Sequence, residues 1–67
     1  MIKVLVTGSD GQLGQSLKFV SKNYSKIEWN FMSKNQLDIQ KFDQIISVVL
    51  NKKIQIIINC AAYTNVE

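Results

Sequence analysis

The sequence has no proline, no histidine and no arginine, and it has one cysteine. Each absence removes a class of function. Without histidine, and with Cys60 alone, a Cys/His zinc site is excluded and no internal disulfide can form. Cys60 lies in an apolar run and reads as a small buried side chain, and no residue is assigned to a metal. There is no run of about eighteen apolar residues that could cross a membrane. The opening Met1-Ile2-Lys3-Val4-Leu5-Val6 is too short and too soon interrupted for a secretory signal. A cytoplasmic protein without membrane partners is therefore expected. All eight cationic residues are lysines, at positions 3, 18, 22, 26, 34, 41, 52 and 53, and the net charge is +3. A nucleic-acid binder concentrates its charge, commonly with arginine and interleaved aromatics. Scattered lysines instead read as the coat of solvated helices and turns, so no nucleic-acid partner is expected.

What remains is the composition of a globular protein, with 46% hydrophobic and 19% charged residues in a chain of 67. A chain this short forms at most one small domain. It buries only about 60% of its unfolded surface, so independent stability would be marginal. No proline- or serine-rich linker divides it, and no segment repeats.

The order of elements is strand, glycine turn, helix, strand, short connection, helix, strand. Residues 2–7 are β-branched and apolar and are ended by Gly8, which predicts a first strand. A first helix is expected from Gln12 to Asn23, with Leu13, Leu17 and Val20 as its buried stripe and Lys18 and Lys22 on the other side. Ile27 to Ser33 reads as a second strand, with Trp29 and Phe31 on one face and Glu28 and Asn30 on the other. A short extended connection, residues 34–39, leads to a second helix over Gln40 to Lys52, with Asp38 as a candidate N-cap. Phe42, Ile45, Ile46, Val49 and Leu50 fall at i, i+3, i+4, i+7 and i+8, which is helical spacing. Lys52 and Lys53 suit the negative pole of that helix. The isoleucine run over Ile54 to Asn59 predicts a third strand buried on both faces, as in a parallel sheet. Strands alternating with helices give an α/β fold with right-handed crossovers.

The segment richest in chemistry is Thr7-Gly8-Ser9-Asp10-Gly11-Gln12-Leu13-Gly14. It follows an apolar strand and opens an amphipathic helix, the setting in which spaced glycines bind a dinucleotide. Gly8 lets the chain leave the strand in a tight turn, Gly11 leaves room for a pyrophosphate, and Gly14 allows the helix to pack closely. Amides near Gly11, Gln12 and Leu13 would face the phosphates at the positive end of the helix, and Asp10 stands within the same turn. A strand–helix turn with glycines for geometry alone is the competing reading. No Gly-Lys-Ser/Thr follows, so this is not a Walker A loop.

The end of the second strand bears on which dinucleotide is bound. An acidic residue about 20 residues past the glycines would accept hydrogen bonds from an NAD ribose. Here the strand ends Met32-Ser33-Lys34, with no carboxylate. Ser33 and Lys34 are candidates to contact a 2′-phosphate, which favours NADP(H). Lys34 reads equally well as a solvated turn lysine, so NAD(H) stays open.

The glycine pattern around Gly11-Gln12-Leu13-Gly14 resembles the extended short-chain dehydrogenase/reductase superfamily. Leu37-Asp38-Ile39, followed by Ile58-Asn59-Cys60-Ala61-Ala62-Tyr63-Thr64, is similar within it to the family of dTDP-4-dehydrorhamnose reductases. The resemblance covers essentially the whole chain but only the opening part of such an enzyme. It implies a Rossmann-type parallel sheet, here partial, with its three main strands in the order 2-1-3 and helices on both faces. It implies that Gly11, Gln12 and Leu13 hold the pyrophosphate and that Asp38 and Ile39 contact the adenine. Ala61, Ala62 and Tyr63, with Thr64 close by, would line the ribose and nicotinamide half. The implied activity is NAD(P)H-dependent reduction of the 4-keto group of dTDP-4-dehydro-L-rhamnose, a nucleotide-sugar substrate.

The superfamily's Tyr-x-x-x-Lys pair has no counterpart here. Tyr24 is followed four residues later by Glu28, and Tyr63 by Glu67. No catalytic residue can be named, and the chain by itself is expected to be inactive. The last strand delivers its carboxyl end to a ligand site that nothing follows to close, which points to part of a longer protein whose substrate domain lies elsewhere. Three parallel strands also leave apolar edges that invite association, so a homodimer stays open. Two other readings stay open as well: another nucleotide-sugar reductase or epimerase, and a non-catalytic dinucleotide-binding regulatory subunit of the same fold.

Overall fold

The computed structural model describes residues 1–61. The chain runs β1 (Ile2–Thr7), α1 (Gln12–Ser21), β2 (Ile27–Met32), α2 (Phe42–Lys52) and β3 (Ile56–Asn59). The strands form one parallel sheet in the order β2-β1-β3, the topology implied by the family resemblance. The first crossover runs from β1 to β2, and the second returns from β2 past β1 to β3. Right-handed connections then carry α1 and α2 over opposite faces.

β1 is central because it is apolar on both faces. Val4, Leu5 and Val6 are 3%, 0% and 0% exposed. In register, Val4 lies beside Trp29 and Ile56, and Val6 beside Phe31 and Ile58. Val4, Val6 and Cys60 form a buried cluster with Leu17 of α1, Ile27, Trp29, Phe31 and Ile58 packed against it. The Trp29 and Phe31 rings stack with centroids 5.8 Å apart and planes 12° from parallel. Cys60 is buried and free, as its apolar surroundings predict. By strand alternation Leu5 faces the other side of the sheet. The second fully buried leucine, Leu37, is 1% exposed and comes from the β2–α2 connection.

α1 presents a different face from the one its large apolar residues predict. Leu13 is 64% and Val20 43% exposed, while the buried positions are Gly14 and Ser21, with Leu17 between them. The spacing 14, 17, 21 is a helical stripe, rotated from the expected 13, 17, 20. The cause is close packing at Gly14, where an added Cβ would lie 2.5 Å from the Ser9 Cα. Small residues set the approach, and the bulky ones are left at the margins. The helix also ends earlier than Asn23, at Ser21, whose hydroxyl donates to the Lys18 carbonyl at 2.6 Å.

α2 starts at Phe42 rather than Gln40, with Lys41 at the N-cap and no side-chain cap. Asp38 does not cap it. Its Oδ1 accepts from the Gln40 amide at 2.9 Å and its carbonyl from the Lys41 amide at 2.9 Å, which closes a turn before the helix. The helix ends at Lys52, and the C-cap residue Lys53 adopts a left-handed conformation with φ 55°. Ile45 and Val49 are half-buried, whereas Phe42, Ile46 and Leu50 remain exposed among the described residues.

β3 is shorter than the isoleucine run, and it is not buried on both faces. Ile56 and Ile57 are 47% and 48% exposed. β3 is the edge of the described sheet, so its outer flank has no strand to cover it. No helix among the described residues is long and apolar enough to cross a membrane.

The rotated helix face sets a test. Leu5→Ala should cost about 2–5 kcal/mol, as for a fully buried leucine. Leu13→Ala, at an exposed position, should change stability by less than about 0.5 kcal/mol. Urea denaturation followed by Trp29 fluorescence reads both, and a larger loss for Leu13 would restore the unrotated helix.

Candidate functional site

The carboxyl ends of β1 and β3 meet where the strand order reverses. Open α/β sheets bind ligands in this crevice. Here the two ends are tied together by one side chain. The Thr7 hydroxyl donates to Asn59 Oδ1 at 2.9 Å, and the Ala61 amide donates to the same oxygen at 3.0 Å. The Cys60 amide donates to the Thr7 carbonyl at 2.9 Å, which carries the ladder one residue past β3. Thr7 is 1% exposed, so its hydroxyl depends on this bond. Sequence reasoning did not single out Asn59. The signal available was a polar residue closing an isoleucine run, level with a threonine that closes β1.

Gly8 turns the chain out of β1 with φ +64°. This left-handed conformation favours glycine. Its space is also taken, since an added Cβ would fall 2.5 Å from the Ala61 Cα. The glycine turn and the segment after β3, which sequence reasoning assigns to one site, are thus in backbone contact. The turn is fixed on its other side by the Ser9 amide, which donates to the Met32 carbonyl at the end of β2 at 3.1 Å. All three strand ends therefore hold this loop.

Gly11 is the N-cap of α1, with φ −81° and ψ 177° and no capping side chain. Its own amide is not directed outward, as expected from sequence, but donates to the Gly8 carbonyl at 3.2 Å. The following amides, of Gln12 and Leu13, lie in the first turn of the helix and have no partner within it. They and the helix dipole form an anion-binding terminus. Among the described residues, an added Cβ at Gly11 would meet only the Gly8 carbonyl oxygen, at an ordinary 3.6 Å. Neither backbone conformation nor internal packing demands glycine there. The open space there would admit a phosphate lying against the backbone, as in a dinucleotide-binding turn.

Beside the turn lies an open groove of about 530 Å³ between α1 and the end of β2. Ser9 and Asp10 of the turn, Gln15 of α1, and Ser33 and Gln36 after β2 contribute to its walls. Gln15 Nε2 donates to the Asp10 carbonyl at 2.9 Å, and Gln36 Oε1 accepts from the Ser33 amide at 2.9 Å. Ser33 thus lines this groove. Lys34 is exposed and does not line the groove. Lys18 and Lys22 line it instead, together with Phe19 and Phe31. The rotation of α1 brings these two lysines into the groove. Asp38 and Ile39 sit in the β2–α2 connection, with Ile39 38% exposed and the Asp38 carboxylate engaged in its turn. Ala62, Tyr63 and Thr64, the remaining candidates, lie outside the described residues.

The Asn59 latch can be measured by a double-mutant cycle. Asn59→Leu should destabilise the chain by about 1–3 kcal/mol, because it leaves the buried Thr7 hydroxyl without an acceptor. Adding Thr7→Val should recover part of that loss, with a coupling of about 0.5 kcal/mol or more. Strictly additive effects in urea denaturation would show that the bond does not join the two strands.

Comparison with known proteins agrees with this geometry. The family model described as the RmlD substrate binding domain matches residues 2–67. A curated dTDP-4-dehydrorhamnose reductase from Aggregatibacter actinomycetemcomitans is 37% identical over 67 residues, which is 100% of this chain and 23% of that protein. The chain therefore spans about a quarter of the length of the curated relative it matches. No solved structure matches it. With a latched parallel crevice, a glycine turn at the start of α1 and a family match over nearly every residue, the chain belongs to the RmlD family.

Proposed function

We propose that this chain is the cofactor-binding start of an NAD(P)H-dependent reductase acting on the 4-keto group of dTDP-4-dehydro-L-rhamnose. The observation that carries the reading is the glycine turn latched to the end of β3, with a Gly11 that the fold itself does not require. The name of the relative supplies the substrate, a dehydrorhamnose attached to a nucleotide.

The roles of the residues follow from their chemistry. The amides of Gln12 and Leu13 receive the pyrophosphate, and Gly8, Gly11 and Gly14 let it and the helix approach. Asp10 flanks the phosphates, and Asp38 and Ile39 border the adenine. Asn59 is a positioning residue: it fixes Ala61 against Gly8 and so sets the height of the crevice floor on which the ribose and nicotinamide half rests. Ala62, Tyr63 and Thr64 are the further candidates for contact with the ribose and nicotinamide half. The bound nicotinamide supplies a hydride equivalent to a carbonyl carbon. A proton must then reach the carbonyl oxygen, and in the superfamily that this chain resembles a Tyr-x-x-x-Lys pair delivers it. No such pair occurs in the 67 residues. The chain therefore binds and orients, and the proton donor belongs to another part of the working enzyme. NADP(H) is the favoured cofactor because no carboxylate ends β2, with NAD(H) as the alternative.

The purified 67-residue chain should show no oxidation of NADPH in the presence of dTDP-4-dehydro-L-rhamnose, measured by nicotinamide absorbance. The protein encoded by the complete reading frame should oxidise it and form dTDP-L-rhamnose. Turnover by the isolated chain would overturn the division of roles. Failure of the complete protein to reduce the keto sugar would overturn the substrate assignment.

A further inference from the structure

We propose that the groove between the glycine turn, α1 and the end of β2 binds the 2′-phosphate of a phosphorylated dinucleotide, and that Lys18 and Lys22 of α1 are the residues that select for it. This rests on the dinucleotide reading above and identifies which cofactor class the site prefers and why.

Position comes first. In a sheet of this kind the ribose next to the glycine turn lies against the end of the second strand. Ser9 on one wall of the groove and Ser33 on the other mark that place. At about 530 Å³ the groove lies within the ~300–1,000 Å³ range of small-molecule clefts. A substituent on the 2′-oxygen would enter it.

Charge comes second. The charged residues lining the groove are Lys18, Lys22 and Asp10. Two ammonium groups against one carboxylate leave a net positive wall, which suits a phosphate dianion and gives a neutral ribose hydroxyl little. Both lysines are exposed, and each places its ammonium over an aromatic ring. Lys18 Nζ sits 5.4 Å from the centroid of the Phe31 ring, and Lys22 Nζ 5.7 Å from that of Phe19. Each ring face holds an ammonium by cation–π attraction. Phe31 belongs to β2, two residues before Ser33, so Lys18 is anchored at the strand end where the ribose is expected. The aromatic anchors lower the entropy lost when a flexible lysine engages an anion. Ser33 adds a hydroxyl donor at the same place, and Lys34, outside the groove, has no part in the selection.

The probes are adenosine 2′,5′-bisphosphate and adenosine 5′-monophosphate, titrated calorimetrically against the full 67-residue chain. The bisphosphate should bind about tenfold more tightly, the scale of one charge-assisted hydrogen bond. The advantage should shrink as salt is raised. With Lys18→Gln and Lys22→Gln together the ratio should fall towards one while the affinity for the monophosphate holds, and Lys34→Gln should leave the ratio intact. Lys18→Arg with Lys22→Arg should keep the preference, which supplies a second variant if the glutamine pair does not fold. Equal binding of the two nucleotides by the unmodified chain, or a preference that survives loss of both lysines, would overturn the assignment. Binding of neither nucleotide would overturn the dinucleotide reading itself, and this inference with it.

Discussion

The structure depends on the approach of two backbones at the top of the sheet. Gly8 leaves β1 with a left-handed φ and passes so close to Ala61 that no side chain can stand between them. This contact exists because β1 and β3 are parallel neighbours whose ends are level, with Thr7 paired to Asn59. One carboxamide oxygen holds the level by accepting from both Thr7 and Ala61. Without that registry the glycine turn would have no floor beside it, and the helix that follows would aim its amides elsewhere.

The same constraint shapes α1. A turn pinned to β1, β2 and β3 leaves the helix little freedom in where it starts. The helix must then fit under its own loop, which Gly14 allows by lying against Ser9. Packing through glycine and serine brings the helix close and turns Leu13, Phe19 and Val20 outward, with Phe19 72% exposed. It also swings Lys18 and Lys22 towards the end of β2. The position of the first-turn amides and of the lysines along the helix flank therefore follows from a single packing choice.

The strands and the glycine turn were legible in the sequence because their signals are local. An apolar β-branched run ended by glycine, and glycines spaced before a helical pattern, need no partner to be recognised. The free cysteine in an apolar run was equally plain. The face of α1 was not legible in this way. Amphipathic spacing weights large apolar residues, whereas the sheet chose the small ones, and the choice depends on a loop contact remote in sequence. For the same reason the sequence, in which Lys34 adjoins the strand end, does not reveal that Lys18 and Lys22 line the groove beside it. Asn59 was hidden because its role depends on strand pairing across fifty-two residues. The isoleucines of β3 signalled a buried strand, and among the described residues they sit at an edge.

On the proposed reading Gly11 is glycine for a ligand and not for the fold, and Gly11→Ala separates the two. The backbone there is extended and an added methyl meets only ordinary contact. Stability should therefore change by less than about 1 kcal/mol, the cap preference and the unfolded-chain entropy opposing one another. Binding of NADPH, measured by calorimetry on the same preparation, should weaken at least tenfold, because the methyl occupies the place of the pyrophosphate. Unchanged affinity with unchanged stability would contradict the account and leave the turn as a structural element alone.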